Sequence, residues 1–225
     1  MHVVMLAYPG MTQLDLTGPF EVLARFPELT IHLSWKSAEP VADGSGLRIV
    51  PTAAFADCPP ADILFVPGGP GQLALMDDDE TLGFLRRQAS GARWITSVCT
   101  GSLVLAAAGL LGGYRATCHW LSLPQLAHFD AEPVAARVVR DRDRLTGAGV
   151  TAGIDFALVL AAELFGVERA RLAQLSMEYD PAPPFGDGSP DVADPALVER
   201  MRSLAAGFQS KRDEAARRAA ACLRS

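Results

Sequence analysis

Paired cysteines and clustered histidines are absent from this chain, which has four residues of each type among 225. The four cysteines are Cys58, Cys99, Cys118 and Cys222. They form no C-x-x-C pair, and the histidines are equally dispersed, so neither a disulfide framework nor a zinc-ligand pattern is present. We therefore predict reduced thiols, a reducing compartment and no metal site.

An excess of basic charge and long apolar runs are also absent. The chain has 26 acidic and 20 basic residues, a net charge of −6, which argues against a nucleic-acid-binding surface. The N-terminus lacks the basic segment and apolar run of a signal peptide. Residues 95–114 carry no charged side chain, but Ser102 and several glycines interrupt them, so a strand end and a buried helix are expected there. These absences predict a cytoplasmic protein with no membrane or nucleic-acid partner.

Short apolar runs that alternate with helical patterns are the main organising feature, and they are typical of a parallel sheet covered by helices. The predicted strands are residues 2–8, 29–35 and 63–66 and the β-rich segment that reaches Cys99. Residues 116–120 are a further strand or strand end, and hairpins are expected around 43–46 and over 134–146. The predicted helices begin near 17–19, 77–80 and 100, and three more cover 151–164, 169–179 and 194–224. We expect an α/β domain over residues 1–190, with residues 191–225 as a helical extension packed on it.

Residues 93–103 (RWITSVCTGSL) have the form of a nucleophile elbow, the sharp turn between a strand and a helix that exposes a reactive side chain. A β-rich segment reaches Cys99, and a helical pattern follows directly. Ser97 and Gly101 are small, as required where the chain doubles back on itself. The alternative interpretation is a buried cysteine that only fills space.

An elbow would place the Cys99 sulfur at a helix N-terminus, where unpaired N–H groups and the helix dipole favour an anion. A free thiol ionises near pH 8.5, and thiols at helix starts can fall to about 3.5–7.5. A decrease of about three units corresponds to roughly 4 kcal/mol in favour of the thiolate. We therefore expect Cys99 to be ionised at neutral pH.

Asp15 is a candidate proton donor, because it lies between two leucines just beyond the first predicted strand. A carboxyl group in apolar surroundings is costly to bury unless it is used, and ligands bind at this edge of an open α/β sheet. Burial would raise its pKa and allow it to hold a proton. A carboxylate that caps a turn or a helix is the equally supported alternative.

Residues 67–71 (PGGPG) follow the buried strand 63–66, and glycines there would let the backbone approach a ligand closely. Pro70 has no N–H, so the available donors for an oxyanion or substrate would be Gly68, Gly69 and Gly71. The spacing is not a dinucleotide-binding fingerprint, and a plain tight turn explains it as well.

His119 could pair with Cys99 as a general base, as in cysteine hydrolases. Nothing in the sequence places the two side chains together, and Thr100 rather than a histidine follows the cysteine. We interpret His119 as structural and Cys118 as a packing residue.

Five segments in this order resemble the ThiJ/PfpI superfamily, and most closely its isocyanide hydratases. They are residues 14–19 (LDLTGP), 66–69 (VPGG), 96–101 (TSVCTG), 116–120 (ATCHW) and 151–155 (TAGID). The likeness extends through residues 178–185 (EYDPAPPF) and so covers nearly the whole chain. Pro70 and Cys118 depart from the family pattern, in which an N–H-bearing residue and a threonine are usual.

The resemblance implies a flavodoxin-like α/β sandwich that forms a homodimer, takes a small-molecule isocyanide as substrate and uses no cofactor. The implied reaction is hydration of R–N≡C to an N-substituted formamide through a covalent cysteine thioimidate. Cys99 corresponds to the nucleophile, Asp15 to the acid beside it and Thr100 to a nearby site residue.

Other functions remain open within this resemblance. A protease or amidase of the superfamily would have histidine in place of Thr100. A glyoxalase or deglycase would use a similar acid–cysteine pair on 2-oxoaldehydes. The non-enzymatic alternative is a redox sensor, since an exposed thiol of low pKa oxidises readily.

Overall fold

A mostly parallel sheet forms the centre of the protein, which a computed structural model describes over residues 1–224. The strands are β1 (His2–Leu6), β2 (Thr30–Trp35), β3 (Val41–Ala42), β4 (Arg48–Ile49), β5 (Ala53–Ala54), β6 (Ile63–Val66), β7 (Trp94–Val98), β8 (Arg115–Ala116), β9 (Glu132–Pro133), β10 (Val138–Asp141) and β11 (Arg144–Gly147). Seven strands pair in the order β10-β11-β7-β6-β1-β2-β5, with only the β10–β11 pair antiparallel. The predicted α/β class is confirmed.

Helices flank this sheet in two groups. They are α1 (Gln13–Leu23), α2 (Gln72–Leu75), α3 (Asp79–Ala89), α4 (Gly101–Ala107), a 3₁₀ helix (Leu123–Phe129), α5 (Ala152–Phe165), α6 (Val167–Ser176) and α7 (Pro195–Leu223). Helix α5 contacts both α1 and α6, whereas α4 contacts α2, α3, α7 and the 3₁₀ helix. No α-helix within residues 1–224 combines the length and apolarity needed to cross a membrane.

The central strands are mostly apolar because both faces of the sheet are covered. Every residue of β6 and of β7 is buried. Burying one leucine or phenylalanine side chain of this kind contributes about 1.5–3 kcal/mol, so the continuous apolar runs of the sequence specify the middle of the sheet.

The carboxyl ends of β1, β6 and β7 lie side by side at one edge of the sheet. The register pairs Met5 with Phe65, and Val66 with Ser97. The segments that follow these three strands carry Asp15, the 67–71 turn and Cys99, so the topology brings the candidate residues to a common edge.

Helix α1 begins at Gln13, four residues before the predicted start at Thr17, and contains Pro19 in its interior. Proline has no N–H to donate to the carbonyl of Asp15 four residues earlier, yet the helix continues to Leu23. As a result, Asp15 lies in the first turn of a helix rather than in a loop.

Helix α7 packs against α4 and the 3₁₀ helix along one face of its second half. The side chain of Asp194 caps its start by accepting from the N–H of Ala196 at 2.7 Å. The buried residues are Arg212, Ala215, Ala216, Ala219 and Ala220. This i, i+3, i+4, i+7, i+8 spacing is one helix face, and it includes a charged residue.

Candidate active site

Cys99 stands on the predicted elbow between β7 and α4. Its backbone φ is +58°, a left-handed conformation that costs a non-glycine residue about 1–2 kcal/mol. A Cβ at Gly101 would lie 2.1 Å from the carbonyl oxygen of Val66, so only glycine allows the chain to return so closely over β6. Strain of this kind at a side chain aimed above a sheet is typical of a reactive site.

Asp15 is fully buried beside this elbow. The N–H of Gly68 donates to its Oδ2 at 3.0 Å, and its Oδ1 is buried without a hydrogen-bond partner among residues 1–224. Burial raises the pKa of Asp15 to about 7, although hydrogen bonds from the Cys99 thiol and from the Gly68 N–H lower it by smaller amounts. The carboxyl group can therefore hold or release a proton near neutral pH.

The Cys99 thiol is 5% exposed, and its pKa is raised well above the ordinary value of a thiol. Burial is the largest cause and the charge of Asp15 the next, while the N–H of Thr100 lowers the pKa by less. The prediction of an ionised resting thiol is wrong, because lost hydration outweighs the start of a helix only seven residues long. The Cys99 thiol instead hydrogen-bonds to the Asp15 carboxyl group, which lowers the pKa of Asp15.

The 67–71 turn forms as predicted, but its N–H groups are already engaged. The acceptors are Asp15 Oδ2 for Gly68 (3.0 Å), Thr100 Oγ1 for Gly69 (3.0 Å) and Gly10 O for Gly71 (2.8 Å). The expectation of free donors for a substrate oxyanion is therefore corrected. Two of these N–H groups orient site side chains, and the third ties the turn to residue 10.

Gly68 brings the backbone directly against the three candidate catalytic residues. A Cβ at this position would lie 2.8 Å from the Cβ of Cys99, 2.8 Å from Oδ2 of Asp15 and 2.5 Å from the N of Thr100. The structure thus brings together Asp15, Gly68, Cys99 and Thr100. Gly71 instead donates its N–H to the carbonyl of Gly10.

His119 has a backbone hydrogen-bond partner of its own. Its Nδ1 accepts from the N–H of Leu121 at 3.3 Å, and its pKa is lowered by burial and by the charge of Arg212. Cys118 is fully buried, with its pKa raised to about 12 by that burial. Asp15 is the carboxyl group that hydrogen-bonds to Cys99, and its role as proton carrier stays a prediction.

Two residues near the site had not been singled out from the sequence. Tyr8 follows β1 and donates its hydroxyl proton to the carbonyl oxygen of Pro67 at 3.0 Å. Its pKa is raised well above normal by burial and by the charges of Asp15 and Cys99. Arg212 reaches the same region from α7. Its position on the alanine-rich buried face of α7 is the sequence signal that could have found it.

Two surface pockets lie away from the sulfur. One surface pocket is lined by Trp120, residues 187–190 and the first half of α7, and another by α6 and residues 178–180. Neither includes Asp15, Gly68 or Cys99. Within residues 1–224, no three His, Cys, Asp or Glu side chains form a group that could hold a metal ion.

The doubly covered parallel sheet and the cysteine elbow with a buried carboxyl beside it define an α/β protein with a cysteine-centred site. A sequence model of the DJ-1/PfpI family matches residues 1–163. The chain belongs to this family.

The chain is similar to three proteins for which a name or a crystal structure is known. An isonitrile hydratase of Pseudomonas putida is 53% identical over 223 residues, which are 99% of this chain and 98% of that protein. The crystal structure of a ThiJ/PfpI family protein from Pseudomonas syringae is 50% identical, with a TM-score of 0.93 over 96% of this chain and 90% of that one. A glutathione-independent glyoxalase of Caenorhabditis elegans is 30% identical over 74% of this chain and 90% of its own length.

Proposed function

We propose that this protein is an enzyme that hydrates isocyanides (isonitriles) to N-substituted formamides. The observation that carries the proposal is the buried Asp15–Cys99 pair, which holds one exchangeable proton beside a nucleophile. The near full-length similarity to an isonitrile hydratase supports the choice of substrate. Isocyanides are neutral, so the acidic surface does not repel them.

The first step is addition of the thiol across the terminal carbon of R–N≡C. Asp15 takes the proton of Cys99, and the sulfur lone pair forms a C–S bond to that carbon. The carbon lone pair then accepts the proton from Asp15, which gives the thioimidate Cys99–S–CH=N–R and regenerates the carboxylate. Gly68 holds Oδ2 throughout, so the carboxyl group remains beside the sulfur.

The second step is hydrolysis of the thioimidate. Asp15 accepts a proton from water as the water oxygen bonds to the carbon, the C=N π pair moves to nitrogen, and Asp15 then gives that proton to the nitrogen. The C–S bond then breaks with its electrons on sulfur, the new O–H proton returns to the Asp15–Cys99 pair, and R–NH–CHO leaves. The sum is R–N≡C plus water, with no oxidant, reductant or cofactor.

Formamide production from several aryl and alkyl isocyanides, followed by NMR, tests the activity. Cys99→Ser is expected to abolish production and Asp15→Asn to lower kcat by about 10²–10⁴. Intact-mass spectrometry during turnover should show an adduct equal to the whole mass of the isocyanide. Full activity in Cys99→Ser would refute the covalent route, and absence of formamide with every isocyanide would refute the function.

A glyoxalase activity is the second candidate, favoured by the similarity to the Caenorhabditis elegans enzyme. Methylglyoxal, assayed beside an isocyanide with the same variants, separates the two. A redox-sensor role is less well supported, because oxidation follows thiolate character and exposure, whereas Cys99 is buried with a raised pKa.

The homodimer implied by the family resemblance stays a prediction. Light scattering coupled to size exclusion tests it, with a mass near twice the 23.9 kDa of one chain as the expected result.

A further inference from the structure

A circuit of buried hydrogen bonds joins the segments on both sides of the cysteine elbow. The Oγ atoms of Ser97 and Ser102 are 2.8 Å apart, and Ser102 Oγ is 2.7 Å from the carbonyl oxygen of Thr117. The N–H of Thr117 donates to Oγ1 of Thr146 at 2.9 Å, and Thr146 is the register partner of Ser97 on the adjacent strand β11. At most 1% of each of these four residues is exposed, so water does not compete for the bonds.

The direction of the two hydroxyl bonds follows from their acceptors. A serine hydroxyl has one proton to donate, and the carbonyl oxygen of Thr117 can only accept. Ser102 therefore donates to Thr117, and the hydroxyl of Ser97 must be the donor to Ser102. The hydroxyl chain from β7 to the segment after β8 thus has one defined order, in which each bond polarises the next.

The Ser97–Ser102 bond spans Cys99. Ser97 belongs to β7 and Ser102 to the first turn of α4, so their bond ties the strand to the helix across the residue whose φ is +58°. A left-handed φ persists at a non-glycine residue only where the surrounding structure holds it. The N–H of Cys99 is held by the carbonyl oxygens of Gly147 and Ala148, both at 2.9 Å. The two serine hydroxyls add a link between side chains on either side of the strained residue.

We propose that Ser97 and Ser102 are positioning residues for Cys99: their hydroxyl pair holds the strained elbow so that the thiol stays on the carboxyl group of Asp15. Small side chains are required where the chain doubles back, and alanine at position 97 would also meet that requirement. The hydroxyl adds a bond that alanine cannot form, and a buried polar network whose members all have partners restricts a core to one arrangement. The inference rests on the proposed function for the reaction that the positioned sulfur performs.

Formamide formation by Ser97→Ala and Ser102→Ala tests the proposal, with kcat and KM determined separately. Ser102→Ala removes the link across Cys99 and leaves the Thr117 carbonyl unpaired, so kcat should fall by about 10²-fold, and Ser97→Ala, which removes the link alone, should lower kcat by about tenfold. KM should change by less than about twofold, since no candidate site residue is replaced. Adding Ser97→Ala to Ser102→Ala should cost no further activity, because the bond between them is already lost.

Thr96→Val is the matched control. Thr96 is fully buried one residue before Ser97, and its Oγ1 donates to the carbonyl oxygen of Leu64 at 2.7 Å. Successive strand residues point to opposite faces of a sheet, so this hydroxyl ties β7 to β6 and not to α4. Urea unfolding should show a loss of stability in Thr96→Val similar to that in Ser97→Ala, whereas kcat of Thr96→Val should stay at the wild-type value.

Crystal structures of the wild type and the three variants report the backbone of Cys99 without any isocyanide. In both serine variants Cys99 should leave the left-handed region or occupy two conformations, whereas in the wild type and in Thr96→Val it should stay near φ +58°. Should Ser102→Ala fail to fold, Ser97→Ala, which keeps the bond to Thr117, carries the test alone.

The proposal is overturned by wild-type kcat in a folded serine variant, by an equal loss of kcat in Thr96→Val, by a further loss in the double variant, or by an unchanged Cys99 backbone in both serine variants. If the wild type forms no formamide, the proposed function fails, and the Cys99 backbone in the crystal structures still decides the role of the two serines.

Discussion

The hydroxyl of Tyr8 and the carboxyl of Asp15 hold opposite ends of the same peptide group. Tyr8 donates to the carbonyl oxygen of Pro67 at 3.0 Å, and the N–H of that peptide, which belongs to Gly68, donates to Asp15 Oδ2 at 3.0 Å. A hydrogen bond to the carbonyl polarises the peptide and strengthens its N–H as a donor, by about 10–30% in condensed phases. Tyr8 therefore acts on the acidity of Asp15 without touching it.

Replacing Tyr8 with phenylalanine tests this relay. Tyr8→Phe leaves the Gly68 N–H a weaker donor, so the Asp15 carboxylate is less stabilised and its pKa should rise by a few tenths of a unit. The buried carbonyl of Pro67 loses its partner, at a cost of about 1–3 kcal/mol in stability. The pH profile of kcat/KM and urea unfolding measure the two effects. If Tyr8→Phe lowers stability but leaves the pH profile of kcat/KM unchanged, Tyr8 stabilises the fold without affecting the pKa of Asp15.

The acid limb of activity should fall near pH 7. With Asp15 ionised, the carboxylate can accept the proton of Cys99, whereas below pH 7 both groups are protonated and no base remains. Since an isocyanide does not titrate in this range, the kcat/KM profile reports the enzyme alone. Activity should rise tenfold per pH unit up to about 7 and then level off. A limb near pH 4 would show that Asp15 is not the group that titrates.

Asp15 should also make stability depend on pH. Its pKa is about 7 in the folded protein and about 3.9 in an unfolded chain. Between these values the folded state holds a proton that the unfolded state has lost, so the contribution to stability falls as pH rises from about 4 to 7 and is constant above. Three units correspond to about 4 kcal/mol.

Asp15→Asn should consequently be more stable than wild type at pH 8, by up to about 4 kcal/mol. This gain in stability should disappear toward pH 4. Urea unfolding of both proteins across this range gives the difference directly, with the other carboxyl groups cancelling. A difference that stays flat with pH would show that Asp15 is not abnormally protonated.

The elbow and the main strands could be predicted because local sequence determines them. A cysteine between a buried strand and a helix, with glycine two residues later, favours the sharp turn of an elbow. The ionisation of that cysteine could not be predicted in the same way. It depends on how completely α1 and the 67–71 turn exclude water from Cys99, which is a property of packing between segments more than 50 residues apart in sequence.

Arg212 is a second residue whose surroundings could not be predicted from local sequence. The last third of α7 is rich in basic residues, and Arg218 binds Asp77 at the surface. Arg212 instead shares a face with buried alanines. Helical periodicity places it there, but its neutral partners come from α2 and from the segment after β8, which only the tertiary structure brings together.

A methyl group at Gly68 should block the site while leaving the rest of the sheet in place. The added Cβ would lie 2.8 Å from the Cβ of Cys99 and 2.5 Å from the N of Thr100, and neither backbone-anchored atom can move aside. Gly68→Ala is therefore expected to lower kcat/KM by at least 10²-fold, since displacements of about 1 Å can cost that much. Gly91→Ala, where a Cβ meets nothing within 4 Å, is the control and should retain wild-type activity. Formamide formation and the rate of Cys99 alkylation report the effect. Unimpaired rates in Gly68→Ala would show that the turn does not lie over the reacting sulfur.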